Sequence, residues 1–350
     1  MRHKHVDSTK ATRKIAAALV GTALAAGLAS CAKPAPAHRP AASGKQASAE
    51  AAPVITDAEA RTLLSDVTRK NNQANAALDS TLLAEYEAES SYRIDDAVYR
   101  IGRVMDPQHK DPIKAFEYTE PVFSIPRLTA YPQWFLADAA MTGAKKRCVL
   151  VFSREAAGQP WKVVSQATLT DSVPALVKDA GGNAVVAPEA DGAKLLAAPK
   201  DVAAAHAAYL TGGGSAPEAA TFTPHKKSDE IINDDALRKQ LLFVSRKTGK
   251  IAPAEKVTRN VTVEPYPVRA LQTADGGALV AYVTKWQLTA EQPDGLTKLK
   301  GSDAALAGRT DFDEKITISW LTQWLVVVPP KAGGGKVTVV GADTGKESLV

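Results

Sequence analysis

At 350 residues and 36.9 kDa, with 45% hydrophobic and 23% charged residues, the chain has the composition of a folded protein of one large or two medium domains, which excludes disorder throughout. Its formal charge of +5 comes largely from residues 1–30; beyond them 38 basic groups face 37 acidic ones. A body so nearly neutral excludes the excess of Lys and Arg on which nucleic-acid binding depends.

The first segment reads as an export signal. Basic residues ending at Arg13-Lys14 precede an apolar run of 14 residues, Ile15 to Leu28, and then Ala29-Ser30-Cys31. At 1.5 Å per residue that run is too short for the roughly 30 Å hydrocarbon core of a bilayer, so it does not read as a permanent membrane span. Leu28-Ala29-Ser30-Cys31 resembles the bacterial lipobox. The resemblance implies a signal peptide over 1–30 and a mature N-terminus at a lipidated Cys31, anchored on the extracytoplasmic face of the cell membrane. Cys148 is then left without an intramolecular partner, and its apolar setting, Cys148-Val149-Leu150-Val151-Phe152, marks it as a small core residue. Residues 31–53, rich in Ala and Pro with almost no large apolar side chain, read as a tether of about 70 Å at full extension.

The folded part opens at Thr56-Asp57-Ala58-Glu59, a capping box. Ala60, Leu63, Leu64, Val67, Ala74 and Leu78 then recur on one helical stripe, with Asn71 among them, and a shorter helix carries Leu82, Leu83 and Tyr86. Four strands are expected at Phe116–Ile125, Tyr131–Ala140, Arg147–Arg154 and Trp161–Leu169, bounded by Pro, Gly or charged turns. The second half repeats the order. Val202, Ala205, His206, Tyr209 and Leu210 share a helical stripe ended by Gly212-Gly213-Gly214, and a second helix is expected from Ser228 to Arg246. Strands follow at Glu255–Glu264, Val268–Thr273, Ala278–Leu288, Lys315–Val328 and Lys336–Gly341; in the fourth, Ile316, Ile318, Trp320, Thr322, Trp324, Val326 and Val328 alternate onto one face.

Val149 to Ala167 and Val326 to Ala342 read as matching terminal hairpins, which points to duplication, with an insertion near Gln292–Asp313. The expected organisation is α+β: two similar rolls, 54–172 and 199–343, each with helices packed on a curved antiparallel sheet, joined by an exposed connector over 173–198 and followed by a tail, 344–350. This element order is similar to that of the NTF2-like and cystatin-like rolls, and the combination of lipobox, tether and Ala-rich body resembles the uncharacterised surface lipoproteins of actinobacteria. Neither resemblance carries a catalytic residue over, since no Tyr and Asp pair here matches those of the NTF2-like enzymes.

The residues that could bear chemistry are few. Past the signal segment the histidines are His38 in the tether, His109 in a polar loop, His225 and His206, and none has a neighbour at metal-ligand spacing. There is no Gly-x-Ser-x-Gly elbow, Gly333-Gly334-Gly335-Lys336 reads as a hairpin turn, and Asp311-Phe312-Asp313-Glu314 reads as solvated acids before a strand. Asp95-Asp96 and Asp234-Asp235 are adjacent pairs whose side chains diverge, so neither is an acid/base dyad. The expectation is therefore no cofactor, no metal and no catalytic residue. His206, Tyr209, Trp286, Trp320 and Trp324 are the candidate ligand or partner surface, since an aromatic floor in a curved sheet could hold an apolar ligand. The reading is of a non-catalytic binding or accessory module at the cell envelope, its partner another envelope protein or a small apolar ligand. The alternatives are a transporter's solute-binding lipoprotein, or an enzyme of the roll fold acting near His206 or Tyr209 on a small hydrophobic substrate.

Overall fold

The computed structural model describes residues 51–233, 239 and 241–350. The signal segment, Cys31 and the tether up to residue 50 lie outside the described residues, as do Asp234 and Asp235. From residue 51 onward the chain belongs to one compact unit. It is α+β, with antiparallel sheets.

Helix α1 (Asp57–Ala77) starts at the capping box: the Thr56 hydroxyl accepts the Glu59 amide at 3.2 Å, and the Glu59 carboxylate accepts the Thr56 amide at 2.9 Å. It ends where Leu78 turns left-handed, at φ 49°. α2 (Ser80–Tyr86) and α3 (Glu89–Met105) follow, and then β1 (Tyr118–Ser124), β2 (Gln133–Met141), β3 (Arg147–Arg154) and β4 (Lys162–Thr168) form a meander in chain order. Period-two alternation in these strands gives the sheet two apolar faces. Phe135, Ala137, Cys148, Leu150 and Phe152 face the helices with Leu64, Val67, Leu83, Tyr86 and Tyr99. Trp134, Leu136, Val149, Val151 and Val164 face the other way.

The second sheet is built around β9 (Ala278–Lys298) and β10 (Asp311–Val328), which pair along almost their whole length with Trp320 opposite Trp286. Its order is β11-β10-β9-β5-β6, with β5 (Leu242–Ser245), β6 (Ile251–Pro253) and β11 (Thr338–Leu349); β7 (Lys256–Val263) and β8 (Arg269–Gln272) also pair with β9. One face of this sheet buries Tyr282, Trp286 and Trp324 against α4 (Pro199–Gly212). The opposite face presents Leu279, Ala281 and Leu325 to the first sheet. Two sheets thus pack face to face, with helices on their outer sides. A hinge of backbone joins them at the edge, where Thr170 and Asp171 donate to the Val340 carbonyl at 2.8 and 3.2 Å.

Four expectations change. Residues 344–350 are no tail: β11 runs to Leu349, which is buried opposite Ile318 of β10. A helix from Ser228 to Arg246 is not formed: α5 covers only Lys226–Ile232, and Leu242–Ser245 is a strand, with Phe243 turned inward between outward Leu242 and Val244. The insertion near Gln292–Asp313 is an extension of the β9–β10 hairpin that carries α6 (Gly301–Ala307). Segment 173–198 is no exposed connector. Val177 and Ala187 donate to the Gln272 and Ala270 carbonyls, Ala184 donates to Ile125, and Ala184, Ala187 and Leu195 are buried, so it stitches the two sheets together.

Helix α3, which was not among the expected elements, spans the seam between the sheets. Gly345 of β11 allows its approach, since a Cβ there would overlap Ile94. Arg93 of α3 pairs with Glu264 and Glu347 and donates to the Tyr266 hydroxyl at 2.7 Å, while Arg269 holds Glu89 at 3.0 Å.

Candidate functional site

The five residues singled out from sequence come together, in the interior. α4 carries His206 and Tyr209, and β9 and β10 bring Tyr282, Trp286, Trp320 and Trp324 beneath them, because alternate strand positions share a face. His206 is fully buried, stacked on Phe222 at 4.6 Å and leaning on Trp324 at 4.5 Å. Its Nδ1 lies 2.7 Å from the Tyr282 hydroxyl and its Nε2 3.4 Å from that of Ser228. Burial pushes its pKa down to about 3, so the ring is neutral and its two nitrogens are committed to hydroxyl partners. Trp324 donates its indole N–H to Thr284 at 2.8 Å. Trp286 and Trp320 stack with centroids 3.9 Å apart. His206, Tyr209, Trp286 and Trp324 are buried and Trp320 is half-buried, so as a partner surface the group is closed off; it is a packed aromatic core. The same alternation suits an open aromatic floor or a covered one, and α4 decides for covered.

The other sequence candidates also take structural places. Cys148 is buried in β3, its thiol pushed up to about 12, chiefly by burial. His225 caps α5 by accepting the Lys227 amide. Asp311 and Asp313 lie within β10, where Asp313 pairs with Arg246, and Gly334 makes the left-handed step of the hairpin turn. Asp95 and Asp96 diverge: Asp96 bonds Ser80 and Arg100, and Asp95 turns to the seam. Among the described residues, no group of three or more His, Cys, Asp and Glu side chains is arranged to hold a metal ion.

What the sequence did not announce is a polar seam between the sheets. Gln323 of β10 donates to Ser90 at 2.8 Å and accepts the Gln166 amide at 3.1 Å, and Asp343 of β11 accepts the Thr168 amide and hydroxyl at 3.1 Å. Three acids gather here. Burial, reinforced by the charge of Asp95, raises Glu87 well above the usual carboxylate range; burial and then Asp343 raise Asp95 to about 6; and burial raises Asp343 against its Thr168 hydrogen bonds. Glu87 has one carboxylate oxygen buried without a partner. No signal in the chain order could have found this group, whose members are up to 256 positions apart. None of the three lines any of the cavities described below.

The larger concavities lie on the outer flanks of α1. A groove of about 720 Å³ runs between α1 and β1, lined by Arg61, Ser65, Thr68, Gln73, Glu117 and Tyr118 among others. Its Tyr118 reaches Gln166 of the seam at 3.3 Å, and Asn72 closes it by exchanging two hydrogen bonds with the Phe116 backbone, at 2.7 and 3.1 Å. A separate cleft of about 620 Å³ lies on the other flank, lined by Val54, Ile55, Leu63, Arg154 and Trp161 among others.

Residues 51–346 match the model of a domain of unknown function, DUF8094. The chain belongs to that family. It is similar to an uncharacterised lipoprotein of Streptomyces avermitilis, 29% identical over 290 residues, covering 81% of this chain and 82% of the relative. Two uncharacterised lipoproteins of Streptomyces coelicolor are 26% and 28% identical, covering 85% and 80% of this chain and 87% and 79% of their own lengths. No solved structure matches it. Among the described residues no helix is long and apolar enough to cross a membrane.

Proposed function

We propose that this DUF8094 protein is an envelope lipoprotein, held through Cys31 on the extracytoplasmic face of the cell membrane, that works as a non-catalytic binding or accessory module. The lipobox-like Leu28-Ala29-Ser30-Cys31 and the lipoprotein names of its relatives support the anchor. The observation that carries the binding role is the α1–β1 groove. It is open, it is lined by hydroxyl, amide and charged side chains, and it lies away from the enclosed His206 core. Such a surface offers hydrogen bonds to another envelope protein. A tether of some twenty residues keeps it at high local concentration near membrane-bound partners. The transporter alternative loses support from the antiparallel sheets, because solute-binding lobes alternate strand and helix around parallel ones.

Two experiments test the reading. Cys31→Ala is expected to abolish lipid labelling and membrane retention; a variant that still fractionates with membranes overturns the anchor. In cross-linking from the intact envelope, wild type is expected to capture a specific partner and Ser65→Trp, an exposed groove position, to lose it without unfolding. Equal capture by both, or turnover of a small substrate that the groove variant abolishes, overturns the binding role.

A further inference from the structure

The second cleft has a composition of its own. Val54, Ile55, Ala58 and Leu63 form an apolar wall where the chain enters the body, and Trp161 faces them from the start of β4. Arg154, the last residue of β3, lies over the Trp161 ring at 4.7 Å and over Tyr131 at 5.9 Å, with its Nη2 donating to Gln133 at 2.6 Å. That is its one side-chain hydrogen bond among the described residues, and no carboxylate there is within ion-pair distance of it. Its Nε is buried and has no hydrogen-bond partner.

Two acids line the same cleft, each with partners of its own, and the charge of Arg154 also helps to keep Glu59 ionised. The Glu59 carboxylate is held by the Thr56 amide and hydroxyl at 2.9 and 2.7 Å, and Asp66 pairs with Arg69 and Lys70. Among the described residues lining the cleft, Arg154 is the one cation, and no carboxylate there is within ion-pair distance of it. Guanidinium groups stacked on aromatic rings keep their in-plane N–H donors free for a carboxylate or phosphate. An apolar wall next to such a donor set fits a molecule with both characters.

We infer that this cleft is a binding site for an anionic amphiphile, a carboxylate or phosphate head on an aliphatic body, with Arg154 taking the head and Val54, Ile55, Leu63 and Trp161 the body. The inference goes beyond the proposed partner groove and does not rest on it, since the two cavities share no lining residue.

The test is calorimetric titration of the full chain carrying Cys31→Ala, with decyl phosphate below its critical micelle concentration, against decyl maltoside and inorganic phosphate. Decyl phosphate is expected to bind at least tenfold more tightly than either comparison ligand. Arg154→Gln should weaken decyl phosphate about tenfold and leave decyl maltoside unchanged. Thr62→Trp, at an exposed helix position lining the cleft, should block the amphiphile without touching Arg154, and Ser65→Trp in the other groove should leave it unaltered. Equal binding of the neutral amphiphile, equal binding of inorganic phosphate, or retained affinity in both cleft variants overturns the inference. Circular dichroism of each variant separates these results from a loss of fold.

Discussion

His206 Nδ1 and the Tyr282 hydroxyl lie 2.7 Å apart in an interior from which water is excluded. The pair ties α4 to the central strand of the second sheet. Because a buried hydroxyl without a partner costs about 1–3 kcal/mol, the bond matters most by what its loss would leave behind.

His206→Phe keeps the ring stacking and strands the hydroxyls of Tyr282 and Ser228, so it is expected to destabilise the fold by about 1–3 kcal/mol at pH 7.5. Its pH dependence has a definite sign. The folded histidine has a pKa of about 3 against an ordinary value of 6.5, so the unfolded chain takes up the proton first. Stability is therefore full above pH 6.5 and is lost as pH falls towards 3, at up to about 1.4 kcal/mol per unit. Urea midpoints at pH 7.5 and 5 should fall less in His206→Phe than in wild type; an equal fall would refute the buried neutral ring.

Asp95 acts in the opposite direction. Its carboxyl titrates at about 6 in the fold, because it is buried and faces Asp343, against an ordinary aspartate value of 3.8. The folded state holds this proton more strongly, so stability rises as pH falls from 6 to 4 and is penalised above 6. Asp95→Asn removes the penalty. The variant should be more stable than wild type by roughly 1–3 kcal/mol at pH 7.5, with the gap closing by pH 4. A gap that does not change with pH would show that the seam carboxyls do not interact as described.

Legibility in the sequence followed the range of the interactions. The capping box from Thr56 to Glu59 spans four residues, and β3 carries a continuous apolar run, 148–152, between Arg147 and Arg154, so α1 and Arg147–Arg154 could be read directly. α3 was missed although Ile94, Val98, Ile101 and Met105 recur at helical spacing; the positions it buries most are instead Ser90, Ser91, Ala97 and Tyr99, where Ser90 and Ser91 meet Gln323 and Tyr99 meets Asn75. Trp320 and Trp324 were readable as sharing a face, because that follows from period two. Their depth was not, because it depends on where α4 lies. The seam acids and the Arg154 cleft were invisible for the same reason, as each joins residues distant in the chain that only the packing of the sheets and helices brings together.

Glu89 and Arg269 offer a test of what fastens α3 to the second sheet. Arg269 is 4% exposed, its Nη2 is 3.0 Å from Glu89, and its Nε is buried without a partner. The two ends of the pair are unequal. Burial raises the pKa of Glu89 while Arg269 pulls it down, so without the arginine the acid can take up a proton and become neutral. The guanidinium has no such escape, since it does not deprotonate in a protein. Glu89→Leu should therefore cost about 3–5 kcal/mol, as expected for an uncompensated buried charge, and Arg269→Met less. The double variant should recover much of the loss, because it replaces both polar partners by apolar groups. Denaturant unfolding of both single variants and the double at pH 7 measures the coupling; strictly additive losses would mean that the two side chains stabilise the fold independently.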